Sequence, residues 1–344
     1  MIATLCLALV SAPPLLVHVP VGGLAPDVAR GGGTTYVAYG DRRDAFVGVV
    51  DEAKNTIERP VRVNDVPGTV IAGGERGPKI AWGTNALHVA WMDTKAGSQR
   101  VAYARSANRG KSFETARNLL AGSVGIDMVT VAARGRQVVV LWLDGRGGLD
   151  ADNPATSPIY LCESKDGGNT FGPNQRIGSP YSGTACACCT LSASFDEDGT
   201  LSIAFRTGYK NVRDIWLLQR EAGQNAFSSV RVSDDQWSLK TCPMDGPRWS
   251  AGPGRPLIAW MSAGKVWWSE KAGSAFLPRK PLTDGRAKYP MVARSPAGEV
   301  LGVWEEGGKV HWRNLPEGES GAFPSSGERS AVYVGADGRF RIIN

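Results

Sequence analysis

Apolar residues fall in short runs of five to eight, broken by Gly, Asn, Asp and Pro, and the 3.6-residue recurrence of an amphipathic helix is nearly absent. One run, an apolar strand ending in an aromatic residue, occurs six times: TYVAYGD with Tyr39, LHVAWMD with Trp91, VVVLWLD with Trp142, LSIAFRT with Phe205, PLIAWMS with Trp260 and VLGVWEE with Trp304. The aromatics are 52, 51, 63, 55 and 44 residues apart, a blade-like period. Each copy follows another short strand and a turn, as in PKIAWGTNA and PMVARSPAGE, and precedes a third strand with a polar turn, as in QRVAYARSANRGKSF and PIYLCESKDGGNTF. A weaker fourth strand follows, such as ARNLL or NQRIG.

The unit is therefore four antiparallel strands, A to D, and six units predict an all-β, six-bladed propeller of four-stranded blades over residues 24–344. One blade cannot bury both of its faces, whereas a ring of blades can. The strand-B aromatic fills the wedge between neighbours, with about 150–250 Å² buried per ring. The tail 330–343 reads as one or two further strands that close the ring by completing a blade begun near the N-terminus.

The third-strand turns carry a family resemblance. Ser164-Lys165-Asp166-Gly167-Gly168-Asn169-Thr170-Phe171 matches the Asp-box pattern S-x-D-x-G-x-T-[WF], and Ser106 to Phe113 is a weaker copy with Asn108 at the Asp position. The chain thus resembles the sialidase-like (BNR, Asp-box) propellers over about residues 24–320. The box itself reads as a folding device, because Ser and Asp side chains can bond their own backbone and Gly permits positive φ. The resemblance implies the fold. It does not imply the sialidase reaction, since the Phe/Tyr-Arg-Ile-Pro run that carries the family's first arginine is absent and Ala25-Pro26-Asp27 stands in its place. C-x-C-C at 186–189, Arg213-Asp214 and C-P-x-x-G-P at 242–247 are similar to a secreted bacterial subgroup with the same cysteine signature.

Composition narrows the function. The chain has 344 residues with 43 Gly, 21 Pro and 11 Trp, and its net charge of +6 is spread thinly. Without a basic patch, nucleic-acid binding is not expected. Residues 1–12 read as a signal peptide ending at Val10-Ser11-Ala12, so a secreted or periplasmic location is expected. No stretch reaches transmembrane length, and a monomer is expected.

Aligning the six strand-A starts brings Cys186, Cys188, Cys189 and Cys242 to one mouth of the central channel from two adjacent blades, with Met128, Met244 and Met291 at equivalent starts. Cys6 belongs to the leader, and Cys162 aligns with Ala104 at a small packed position. Three states remain open. Two disulfides suit an oxidising compartment, with one bridge tying Cys242 to blade 4. A thiolate metal site or redox pair would use Cys186, Cys188, Cys189 and Cys242 with Met244, and soft sulfur without nearby His points to copper. Buried free thiols are the third. His88 and His311 lie within strands, and His18 precedes blade 1.

Strand-B ends and the following loops reach the same mouth. They supply Asp93, Asp144, Arg206, Glu305 and Glu306, with Arg213 and Asp214 from the blade 4 loop. A glycosidase-like pocket would draw on Arg206, Arg213, Asp214, Asp144 and Glu305. The opposing expectation is that such acids and arginines pair with each other, with Arg213-Asp214 orienting the loop beside the cysteines. The loop 145–158, with Asp150 and Asp152, offers oxygen ligands for Ca²⁺, and Trp267-Trp268 reads as wedge packing. The ligand expected at the mouth is a small molecule, a glycan or a metal ion. The functions weighed are a Cys-rich metal or redox propeller, a glycoside hydrolase of exo-α-sialidase type, and a non-catalytic scaffold with structural disulfides.

Overall fold

The computed structural model describes residues 12–95, 97–122, 125–146, 156–178, 184–325 and 329–344. The expected signal peptide, most of the 145–158 loop, and Asp150 and Asp152 lie outside these residues. The described chain is all β apart from one short 3-10 turn at Tyr209–Asn211.

Blade 1 runs Leu24–Gly31, Thr34–Asp41, Asp44–Asp51 and Thr56–Arg62 from the inside outward. Blades 2 to 6 begin at Lys79, Ile126, Ser192, Arg248 and Lys288 and repeat the antiparallel A-B-C-D order. In blade 3, for example, Trp142 of strand B pairs with Tyr160 of strand C, and Ile126 of strand A pairs with Asp144.

The ring has seven blades, not the six read from the aromatic repeat. The tail neither completes blade 1 nor joins blade 6. Ala331–Val334 and Phe340–Ile343 pair antiparallel, and Leu15–Val17 adds to the latter in parallel, giving a separate three-stranded sheet. Blade 1 already has four strands, so the tail has no free place in it. The seventh sheet escaped the repeat because its second strand, Phe340-Arg341-Ile342-Ile343, ends without an aromatic and its third strand comes from the other end of the chain. Closure by joining the two termini is as expected. Innermost strands follow one another in the order 1 to 7 and back to 1.

Seven apolar clusters fill the seven wedges, one between each pair of adjacent blades. Strand B explains why its sequence is apolar throughout. In blade 3, Val138, Val140 and Trp142 face blade 2, while Val139, Leu141 and Leu143 face blade 4. Alternating side chains on a strand buried on both faces leave no polar position. Trp267 and Trp268 pack into the wedges on either side of blade 5.

The Asp box behaves as a folding device. Ser164 Oγ accepts from Gly168 N–H at 2.8 Å, and Asp166 accepts from the N–H groups of Asn169 and Thr170 and from the Thr170 hydroxyl. These bonds hold the Asp166 carboxyl well below the usual carboxylate range. The weaker copy builds the same turn: Ser106 Oγ accepts from Gly110 N–H, and Asn108 accepts from Ser112 N–H at 3.0 Å.

Candidate functional site: a sulfur centre at the channel mouth

Strand A opens at the mouth with a left-handed residue in four blades: Ala25, Met128, Met244 and Tyr289 have φ of 49°, 51°, 49° and 51°. Blade 4 lacks this left-handed residue, yet in blades 4 and 5 alike the residues that lead into strand A carry the cysteines. Thr184–Cys186 lies against the start of blade 3 strand C, with Cys186 opposite Thr156. The chain then turns, with Cys189 N–H donating to Cys186 O at 3.2 Å.

All four mouth cysteines meet. Cys188 and Cys242 form a disulfide tying the blade 4 start to the blade 5 start. Cys186 and Cys189 remain thiols, buried at 0% and 1% exposure. Cys186 Sγ lies 3.8 Å from Cys242 Sγ, and the sulfurs of Cys186, Cys189 and Cys242 lie within 4.8 Å of one another. Of the states weighed from the sequence, the arrangement combines one bridge with a thiol pair. Cys162 is a buried thiol in the wedge between blades 2 and 3, its pKa pushed up to about 12 by burial.

The two thiols differ. Cys186 accepts a hydrogen bond from Cys189, which outweighs its burial, and Arg213 and Arg206 add positive charge; its pKa is lowered to about 6. Cys189 is raised well above the ordinary thiol value, first by burial and then by the same hydrogen bond.

The arginines proposed for a substrate carboxylate instead hold the cysteine segments. Arg213, fully buried, donates to the carbonyls of Leu239 and Thr241, the latter just before Cys242. Arg206 donates to the carbonyls of Asp245, Arg213 and Met261. The two guanidinium groups thus grip the chain on both sides of Cys242. Arg213 Nη1 is buried and has no hydrogen-bond partner among the described residues. Asp214 pairs with Arg231 at 2.5 Å and accepts the N–H groups of Asp235 and Gln236, which orients the loop.

Strand-B acids have a shared task. Trp91, Trp142 and Trp304 donate their indole N–H to Asp93, Asp144 and Glu306, two residues on and therefore on the same strand face. Asp93 and Asp144 are completely buried and ion-paired with Arg100 and Arg146. In blade 5 the equivalent residue is Ser262, and Trp260 turns to Asp235 from the neighbouring loop. Glu305 accepts from Arg329 N–H, and Glu305 and Glu306 line a mouth-side cavity of about 550 Å³ with Trp237, Pro243, Arg286 and Lys288.

The methionines separate. Met128 packs in the wedge that includes Cys188, Met291 packs between blades 6 and 7, and Met244 donates its N–H to Cys242 Sγ at 3.4 Å. His88 bonds Tyr103 inside blade 2, His311 bonds Glu306 O, and His18 pairs with Thr56 at the outer edge of blade 1.

One residue of the site was missed from the sequence. Glu75, at the tip of a turn closed by Gly73 and Arg76, reaches across the mouth. Its buried carboxylate accepts the N–H groups of Thr190 and Gly246, pairs with Arg329, and lies 3.9 Å from Arg248. It ties the residue after Cys189 to the C-P-x-x-G-P segment. Gly246 lets those segments touch: a Cβ there would stand 2.1 Å from Thr190 O. Alongside, Asp245 accepts from Tyr289 N–H, and burial raises its pKa to about 6. Glu75 lies outside every repeat strand, so nothing in the pattern marked it.

No protein-family model matches the chain, and no curated protein matches it. Among solved structures it is similar to a protein of unknown function from Dyadobacter fermentans, at 10% identity and TM-score 0.52 over 96% of this chain and 95% of that one. It is also similar to YCF48 bound to D1 peptide, at 11% identity and TM-score 0.50 over 88% and 86%. YCF48 from Cyanidioschyzon merolae follows at 11% identity and TM-score 0.49 over 92% and 89%. At such identities the likeness shows the propeller fold alone. No helix among the described residues is long and apolar enough to cross a membrane.

Proposed function

We propose that this propeller is a rigid carrier for a redox-active sulfur centre that exchanges disulfide and thiol states with an external partner in an oxidising compartment. One observation carries the reading: a bridge between part-exposed Cys188 and Cys242 stands 3.8 Å from the buried Cys186 thiol, which is paired with Cys189. A purely structural bridge has no need of two further thiols against it. The propeller wedges and the arginine grip supply the rigidity that such a centre requires. The Asp-box turns support placing the carrier among sialidase-like propellers without sialidase chemistry.

The test is reduction of the native protein with dithiothreitol, followed by alkylation and peptide analysis. The reading expects Cys188 and Cys242 to become alkylatable without unfolding and to re-form their bridge on removal of the reductant. A bridge that opens only on global unfolding would refute it.

A second reading, thiolate metal binding, draws on the sulfur spacing. Metal–sulfur bonds of about 2.3 Å in a tetrahedron set sulfurs about 3.8 Å apart, the Cys186–Cys242 separation. Opening the bridge would make Cys188 and Cys242 thiolate donors beside Cys186 and Cys189, a soft set suited to Cu(I). Metal analysis of reduced protein after exposure to Cu(I) under anaerobic conditions checks it: no retained metal removes this reading.

A further inference from the structure

Cys186-Ala187-Cys188-Cys189 contains a C-x-x-C pair, Cys186 and Cys189, one layer beneath the Cys188–Cys242 bridge. The bridge cysteines are part-exposed and the pair is buried, so the four sulfurs form an outer disulfide and an inner dithiol. Cys186 is in contact with both layers: its sulfur is 3.8 Å from Cys242 Sγ and accepts a hydrogen bond from the Cys189 thiol. The C-x-x-C turn is already closed by Cys189 N–H on Cys186 O. Two buried guanidinium groups, Arg213 and Arg206, put positive charge beside Cys186, and Arg213 keeps its buried Nη1 without a hydrogen-bond partner among the described residues. This is an environment for a sulfur anion formed in passing.

We propose that the inner dithiol takes over the disulfide, moving it from Cys188–Cys242 to Cys186–Cys189. Cys186, as thiolate, attacks Cys242 Sγ; the 186–242 bond forms, the 188–242 bond breaks, and Cys188 leaves as a thiolate that takes up the proton Cys186 released. Cys189 then attacks Cys186 Sγ; the 186–189 bond forms, the 186–242 bond breaks, and Cys242 leaves and receives the proton from Cys189. Two S–S bonds form and two break, so the centre needs no added oxidant or reductant. The outcome is a free Cys188/Cys242 dithiol at the part-exposed layer, able to reduce an external disulfide. The cross-link between blades 4 and 5 is replaced by one inside a single turn. This deepens the redox reading above and rests on it for the external partner, while the internal transfer stands on the sulfur geometry.

Trypsin places the readout conveniently, since Cys242 alone occupies peptide 241–248, and Cys186, Cys188 and Cys189 share 177–206. Full-length native protein is incubated with N-ethylmaleimide and no reductant, then digested without reduction. The transfer expects Cys242 to be alkylated with time, while peptide 177–206 carries an internal disulfide and one alkyl group. Cys189→Ser should stop the reaction halfway, with Cys188 alkylated and peptide 241–248 still cross-linked. Cys186→Ser and Cys186→Ala should abolish alkylation of both bridge cysteines. Absence of Cys242 labelling in the native wild type overturns the transfer whatever the variants do, as does equal labelling in folded Cys186→Ser. If dithiothreitol opens the bridge equally well in wild type and Cys186→Ser, the external redox reading survives and the internal transfer does not.

Discussion

Replacing Glu75 with Ala should unfasten the mouth of the channel. Its carboxylate has no solvent exposure, accepts two backbone N–H groups from blades 4 and 5, and faces Arg329, whose side chain is only 4% exposed. Alanine strands both N–H groups and leaves the guanidinium buried without its anion. Removing one partner of a buried ion pair costs about 3–5 kcal/mol, and the stranded N–H groups, at about 1–3 kcal/mol each, are largely the same loss counted by its parts. The expected destabilisation is therefore about 3–5 kcal/mol. Glu75→Gln keeps the volume and one acceptor oxygen, so about half that loss is expected. Equilibrium urea unfolding of oxidised protein, followed by tryptophan fluorescence, measures both. Because Glu75 joins the residue after Cys189 to Gly246, Glu75→Ala should also speed alkylation of Cys186 and Cys189 in the folded state. A variant within about 1 kcal/mol of wild type, with unchanged thiol reactivity, would refute the assignment of Glu75 as the tie across the mouth.

Three further outcomes are expected. Gly246→Ala places a methyl group 2.1 Å from a backbone oxygen, which no side-chain rotation relieves; a loss of about 1–3 kcal/mol in urea unfolding, with a slower response of the sulfur centre to dithiothreitol, is expected. The Cys186 thiol should ionise with a midpoint near 6, so thiolate absorbance at short wavelength should rise as pH passes upward through that value, and Arg213→Met should move the midpoint upward; an unmoved midpoint denies the guanidinium its role. Asp245 is raised to about 6 by burial, so its contribution to stability is present below the ordinary carboxyl pKa and is lost as pH rises through about 6. Asp245→Asn retains an acceptor for Tyr289 N–H and should therefore gain up to about 3 kcal/mol at pH 7.5, read as a higher urea midpoint that no longer falls between pH 4 and 6.

The repeat of apolar strands carried the architecture because a strand buried on both faces must be apolar at every position, and that signature is local. It undercounted the blades at the one sheet that lacks it, where Phe340–Ile343 is joined by Leu15–Val17 from more than 300 residues away. The convergence of Cys186, Cys188, Cys189 and Cys242 was legible because each precedes an innermost strand, and the ring maps strand order onto position. Which sulfurs join was not legible, since four cysteines in reach of one another admit several pairings. The roles of the charged residues were hidden for a different reason. Asp144 and an exposed loop aspartate look alike in sequence; only the packing shows Asp144 buried under Trp142 and paired with Arg146. Arg206 and Arg213 likewise read as ligands for an anion until their carbonyl partners on either side of Cys242 appear. Glu75 belongs wholly to the tertiary level, because its partners Thr190, Gly246 and Arg329 come from three other blades. Local pattern determined the strands, their repeat and the mouth at which the cysteines gather. The pairing of sulfurs and the tasks of charges depend on groups brought within a few ångströms only by closure of the ring.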